Sequence, residues 1–158
     1  MIIDHECVLA DKKTVAATSG TADSDIYDFG ATSSRLYRSG AASKPDAEKQ
    51  ALAGPFRLLV DTFDAASNTT KAAMAATSTV TVKVANALSG TALSNAVTVY
   101  TWTAPTSNAQ THLHIPSDLL RLESFRYLQV SVANKTGSAV RFSANLVLET
   151  PVNSAVSL

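Results

Sequence analysis

The stretch YLQVSVANKTGSAVRFSANLVL, residues 127–148, decides the fold class. Leu128, Val130 and Val132 alternate with polar or small residues, and beyond Lys135-Thr136-Gly137 the alternation resumes through Val140, Phe142, Ala144, Leu146 and Leu148. Successive side chains of a strand point to opposite faces, so a period of two marks a strand with one buried face, whereas an amphipathic helix repeats its apolar residues every three to four positions. The two runs read as a β-hairpin closed by the glycine-containing turn.

Working outward, the same period returns repeatedly. Thr79–Ala85 (TVTVKVA) sets Val80, Val82 and Val84 on one face and Thr81 and Lys83 on the other. Val97–Thr103 (VTVYTWT) sets Val97 and Val99 against Tyr100 and Trp102, and the alternation leaves open which face is packed. His112–Pro116 (HLHIP) points Leu113 and Ile115 one way and both histidines the other before proline stops the strand. Phe56–Asp61 (FRLLVD) begins after Gly54-Pro55. The first third is less regular: Lys12–Thr21 reads as one strand and Asp25–Gly30 as another, behind an N-terminal arm over residues 1–11. Residues 33–54 read as a long loop with up to two helical turns, because Ser43, Pro45 and Asp46 suit a helix start and Gly54-Pro55 a stop. Ala65–Thr77 is alanine-rich and reads either as a helix or as a long connection between strands.

The expectation is a single all-β domain over 1–158, a jelly roll or β-sandwich of about eight strands, a size at which one hydrophobic core suffices. Thirteen basic residues balance thirteen acidic ones, so no net field draws the chain to nucleic acid or to an anionic membrane. The opening residues are too charged for a signal peptide, and no apolar run is long enough to span a bilayer as a helix. Cys7 is the only cysteine, which removes an intramolecular disulfide. Asn68-Thr69-Thr70 and Asn134-Lys135-Thr136 match the glycosylation pattern but read as turns.

No catalytic or cofactor-binding constellation stands out. His112 and His114, two apart on a strand, share a face and with Asp118 resemble the ligand spacing of cupins, but the flanking glycines of that motif are missing and Pro116 interrupts it. The plainer reading is two solvent-facing histidines. Asp61 and Asp64 read as strand-end turn residues, since the oxygens of a calcium loop are missing around them. No Gly-x-Ser-x-Gly elbow and no glycine-rich phosphate loop occur. The expectation is therefore a protein that is not an enzyme and carries no cofactor or metal. Its interface residues are sought where Arg and aromatic side chains cluster: Arg35, Tyr37 and Arg38 in the long loop, with Ile2 and Ile3 in the arm.

Several stretches, taken in order, resemble one known family. Met1-Ile2-Ile3-Asp4, Ile26-Tyr27-Asp28-Phe29-Gly30, Gly54-Pro55-Phe56-Arg57-Leu58-Leu59-Val60-Asp61, Val80-Thr81-Val82-Lys83-Val84, Leu113-His114-Ile115-Pro116, Arg126-Tyr127-Leu128 and Leu146-Val147-Leu148 fall in the sequence seen in the jelly-roll capsid cement (decoration) proteins of tailed bacteriophages, typified by the Bordetella phage cement protein. The resemblance implies a virion protein, made in the host cytoplasm, on the outer capsid surface. Its implied partners are the major capsid protein and further copies of itself, as a homodimer or homotrimer. A carbohydrate-binding jelly-roll module is the alternative; it needs Trp102 and Tyr100 as an exposed platform. A cupin-like metalloenzyme is a third reading.

Overall fold

In a computed structural model, residues 8–29, 56–120, 125–135 and 137–148 are described. They form eleven strands: β1 (Val8–Val15), β2 (Gly20–Asp23), β3 (Tyr27–Asp28), β4 (Phe56–Asp64), β5 (Thr79–Ala85), β6 (Ala87–Ser89), β7 (Ala92–Ser94), β8 (Val97–Thr103), β9 (His112–Ile115), β10 (Tyr127–Asn134) and β11 (Val140–Leu148). A single helical turn, α1 (Ser117–Leu120), lies between β9 and β10.

Two sheets carry the fold. One has the order β1-β11-β4-β9; the other has β2-β10-β5-β8, with β3 also on β10. Every pairing is antiparallel. The strands β2 and β3 act as one interrupted strand, because the Ser24 hydroxyl accepts from the Val130 amide at 2.9 Å while the Ser24 amide donates to the Val130 carbonyl at 2.7 Å. A side-chain oxygen thus stands in the hydrogen-bond ladder where the backbone leaves it. Counted so, eight strands remain outside the β6–β7 hairpin, and the chain changes sheet at every step except β5 to β8, which that hairpin joins within one sheet. Two four-stranded antiparallel sheets linked in this way are a jelly roll.

The inward faces meet in one core. Leu58, Val60, Phe142 and Leu146 from the first sheet pack with Val80, Val82, Leu128 and Val130 from the second. Tyr100 and Trp102 face inward against this cluster, each opposite a buried valine of β5, Val82 and Val80. The Tyr100–Trp102 face of Val97–Thr103 is therefore packed, and Val99, at the irregularity near the start of the strand, packs with it while Val97 is exposed. The run Leu58-Leu59-Val60 is buried throughout, as for a strand covered on both faces, although Leu59 lies outside the core cluster.

Four expectations are corrected. The arm assigned to residues 1–11 ends earlier, since Val8–Asp11 belong to β1. Lys12–Thr21 is not one strand: positive φ at Thr18 and Ser19 turns the chain between β1 and β2. The runs 127–134 and 140–148 are strands with those bounds but not a paired hairpin, because β10 bonds to β2, β3 and β5 while β11 bonds to β1 and β4. Each has a buried face and two better-matched neighbours, so the connection between them crosses the sandwich. Asp61 stands inside β4 and not in a turn. Ala65–Thr77 is a connection without helix. The 33–54 loop and residues 1–7 lie outside the described residues.

Candidate functional site

The titratable side chains that come together do so on the outer face of the first sheet. β9 is its edge strand, and its register on β4 sets His112 beside Asp61 and His114 beside Leu59. Leu113 and Ile115 point into the core, so both imidazoles must point out. The connection after β4 folds back along that strand: the Asp64 amide donates to the Thr70 carbonyl at 3.0 Å, the Thr62 hydroxyl donates to the Ala72 carbonyl at 2.6 Å, and Phe63 bridges to Lys71. This return delivers the Lys71 ammonium to the Asp61 carboxylate and sets it 4.3 Å from the centre of the Phe63 ring.

Asp61 Oδ1 therefore accepts from two donors, Lys71 Nζ and His112 Nδ1, the second at 2.6 Å. Burial opposes ionisation of this carboxyl, but the hydrogen bonds and charges of Lys71 and His112 outweigh it and hold the group below its ordinary range. The His112 and His114 rings meet edge to face with centroids 4.2 Å apart. Partial desolvation, with the neighbouring His112 and Arg57, lowers the His114 pKa and favours its neutral form.

Chemically this cluster holds an oriented imidazole and a paired carboxylate, but among the described residues no hydroxyl hydrogen-bonds either ring. Nor, among them, is any group of three or more His, Cys, Asp or Glu arranged to hold a metal ion. The carboxylate that meets the histidines is Asp61 from the neighbouring strand. Asp118, which completed the cupin-like spacing, sits exposed on α1. The arrangement ties β4, β9 and the β4–β5 connection together electrostatically.

Arg35, Tyr37, Arg38, Ile2 and Ile3 lie outside the described residues. Tyr100 and Trp102 are half-buried on the inner side of β8 and form no outward platform. A surface marked by no motif lies around β8 instead. Between Lys83 and Asp118 no Asp, Glu, Lys or Arg occurs. This stretch supplies the exposed β6–β7 hairpin, the edge strand β8 and the crossing to β9. Its signal in the sequence is the missing charge and not any motif, and interface centres are depleted in charge in the same way.

Among the described residues no helix is long and apolar enough to cross a membrane. No protein-family model and no curated protein matches the chain.

Proposed function

We propose that this chain is a structural binding protein, a cement protein that decorates the outside of a tailed-phage head and ties neighbouring major capsid subunits together. The observation that carries the reading is where the resembling stretches fall on the jelly roll. Ile26–Gly30 overlaps β3, Phe56–Asp61 opens β4, Val80–Val84 lies in β5, Leu113–Ile115 in β9, Tyr127-Leu128 opens β10 and Leu146–Leu148 closes β11. The resembling stretches thus fall on six strands, β3, β4, β5, β9, β10 and β11, in chain order. A structural role also suits the weakly charged surface and the ion-paired, rather than catalytic, use of the histidine cluster.

The physical logic is avidity. A single interface of standard size buries about 1,600 Å² in total, and a protein that engages several capsid subunits at once gains beyond any one contact. The glycan-binding alternative is weakened because Tyr100 and Trp102 turn inward.

The test is to mix the purified protein with expanded heads that lack a decoration protein, then to measure co-sedimentation and the temperature at which heads rupture. Saturable binding with a raised rupture temperature is expected. Heads that sediment without the protein overturn the proposal.

A further inference from the structure

The histidines of β9 lose Asp118 as a third ligand, because it sits on α1, yet the fold gives the pair two things that spacing alone does not. The first is a fixed platform. Leu113 and Ile115 are locked in the core, so the backbone that carries His112 and His114 is held and both rings stand on one outward face. β9 is an edge strand, the His112 side chain is 40% exposed and His114 is exposed, so an ion from solvent reaches both.

The second is an oriented ring. Asp61 Oδ1 accepts from His112 Nδ1 at 2.6 Å and from Lys71 Nζ. A neutral imidazole that donates through Nδ1 keeps its lone pair on Nε2. A carboxylate behind the imidazole is the arrangement that sets the tautomer and ring orientation of metal-ligating histidines and raises their basicity. Asp61 is thereby used behind His112 and is not itself a ligand. His114 has no hydrogen-bond partner among the described residues, so its nitrogens are available.

The two rings meet edge to face, with centroids 4.2 Å apart and planes at 81°. Nitrogens bound to one ion, each at roughly 2.0–2.1 Å, lie about 3 Å from each other. The broad χ2 torsion of histidine lets the His114 ring turn a nitrogen to that separation while His112 stays held by Asp61.

The surroundings select the kind of ion. Asp61 is already paired with Lys71, and Arg57 acts on His114 as a further positive charge, so no surplus carboxylate draws in a hard cation. Affinity must come from the metal–nitrogen bond. Imidazole suits Ni²⁺, Cu²⁺ and Zn²⁺, whereas Ca²⁺ and Mg²⁺ take oxygen ligands.

We propose that His112 Nε2 and one ring nitrogen of His114 chelate a divalent transition-metal ion of the Ni²⁺, Cu²⁺ or Zn²⁺ type on the outer face of β9, with Asp61 as the positioning residue behind His112 and water in the remaining coordination positions. This is a two-histidine surface chelate and not the cupin centre. The inference stands on the β9 pair and not on the capsid reading.

The full chain, without an affinity tag, is titrated with Ni²⁺ near neutral pH by isothermal titration calorimetry. Saturation at one ion per chain is expected, with no binding of Ca²⁺ or Mg²⁺. His112→Gln and His114→Gln should each raise the dissociation constant at least about tenfold, and Asp61→Asn should raise it about 10–100-fold through the loss of the group behind the ligand. Electron paramagnetic resonance of the Cu²⁺-loaded chain should show coupling to two imidazole nitrogens, falling to one in each histidine variant and remaining two in Asp61→Asn, a pattern that a loss of fold would not produce. Circular dichroism checks each variant. Wild-type NMR keeps the test decisive if a variant is unfolded: Ni²⁺ should broaden the ring signals of His112 and His114 before those of His5. No saturation up to millimolar ion, equal binding by a folded His112→Gln or His114→Gln variant, or broadening led by His5 overturns the proposal. Failure here leaves head binding as a separate measurement, and failure of head binding leaves the ion site intact.

Discussion

Asn134→Ala should destabilise the fold by about 3 kcal/mol, because one fully buried amide holds three segments at one end of the sandwich. Asn134 is 0% exposed. Its Nδ2 donates to the Ala16 carbonyl at 3.2 Å, in the β1–β2 turn, and to the Ser138 carbonyl at 2.9 Å, in the β10–β11 connection. Its Oδ1 accepts from the Ser78 hydroxyl at 3.2 Å, at the foot of β5, and that same hydroxyl accepts from the Lys135 amide at 3.1 Å. Alanine removes all three Asn134 bonds. At roughly 1 kcal/mol net for each, with buried carbonyls left short of a donor, the loss reaches about 3 kcal/mol. That is a large share of the 5–15 kcal/mol that holds a typical domain together. Urea unfolding followed by circular dichroism should show the midpoint falling by roughly 1–2 M at an unchanged slope of about 2 kcal/mol/M. Ser78→Ala combined with Asn134→Ala should be less destabilising than the sum of the two, by about 1 kcal/mol, because each single change already breaks their shared bond. A loss below about 1 kcal/mol, or strict additivity of the pair, would refute the network.

Two further outcomes follow from the core and from the outer cluster. Phe142, fully buried at the centre of the jelly roll, should cost about 3–5 kcal/mol on replacement by alanine, seen as a large drop in melting temperature; a drop no greater than that of an exposed-site control would count against the packing described. His114 has a folded-state pKa below its ordinary 6.5, so the unfolded chain takes up this proton first, and its contribution to stability is present above pH 6.5 and lost as pH falls through the folded value. Asp61 is likewise lowered, from 3.8, so the stabilisation from its pairing with Lys71 and His112 holds at neutral pH and disappears only below that value. Urea midpoints measured against pH should therefore fall in two separated windows. His114→Gln should flatten the upper one; Asp61→Asn should flatten the lower and also shift the upper, because the Asp61 charge works against the lowering of the His114 pKa.

Strand positions were legible wherever apolar and polar or small residues alternate in the sequence, even in β11, where Phe142–Val147 is buried on both faces. Thr79–Ala85, Val97–Thr103, Tyr127–Asn134 and Val140–Leu148 show that alternation, and the strands have those bounds. Partnership was not legible. Alternation tells that residues 128, 130 and 132 share a face but carries nothing about which strand lies beside them, so the two runs of the opening stretch read as a pair although they lie in opposite sheets. The same gap hid Asp61 from His112, because their meeting depends on the β4–β9 register and on a connection that brings Lys71 back. The β6–β7 hairpin had a faint local signal in Ser89-Gly90-Thr91, where Gly90 supplies the positive φ of a two-residue turn. Its strands are three residues long, too short for a period to show. The Asn134-Lys135-Thr136 pattern begins inside β10 and not in a turn, and the Asn134 side chain is buried and sealed in hydrogen bonds.

The pairing of β1 with β11 reaches beyond stability into the timing of folding. Val8 lies opposite Asn145, a separation of 145 − 8 = 137 residues. The first described strand therefore waits for the last to be synthesised before its edge of the sheet can form. β4, which also needs β11, waits beside it. Closing such long loops carries its entropic cost before any contact rewards it, which places this chain among slow folders of the millisecond-to-second class. On the ribosome, the sheet containing β2, β10 and β5 cannot be completed early either, because β10 comes late in the chain. The β5–β8 segment, whose strands are close in sequence, is then the region able to organise first. A nascent chain would show its uncharged β8 edge before the rest of the sandwich exists, so premature pairing between chains on neighbouring ribosomes is the characteristic hazard of this topology.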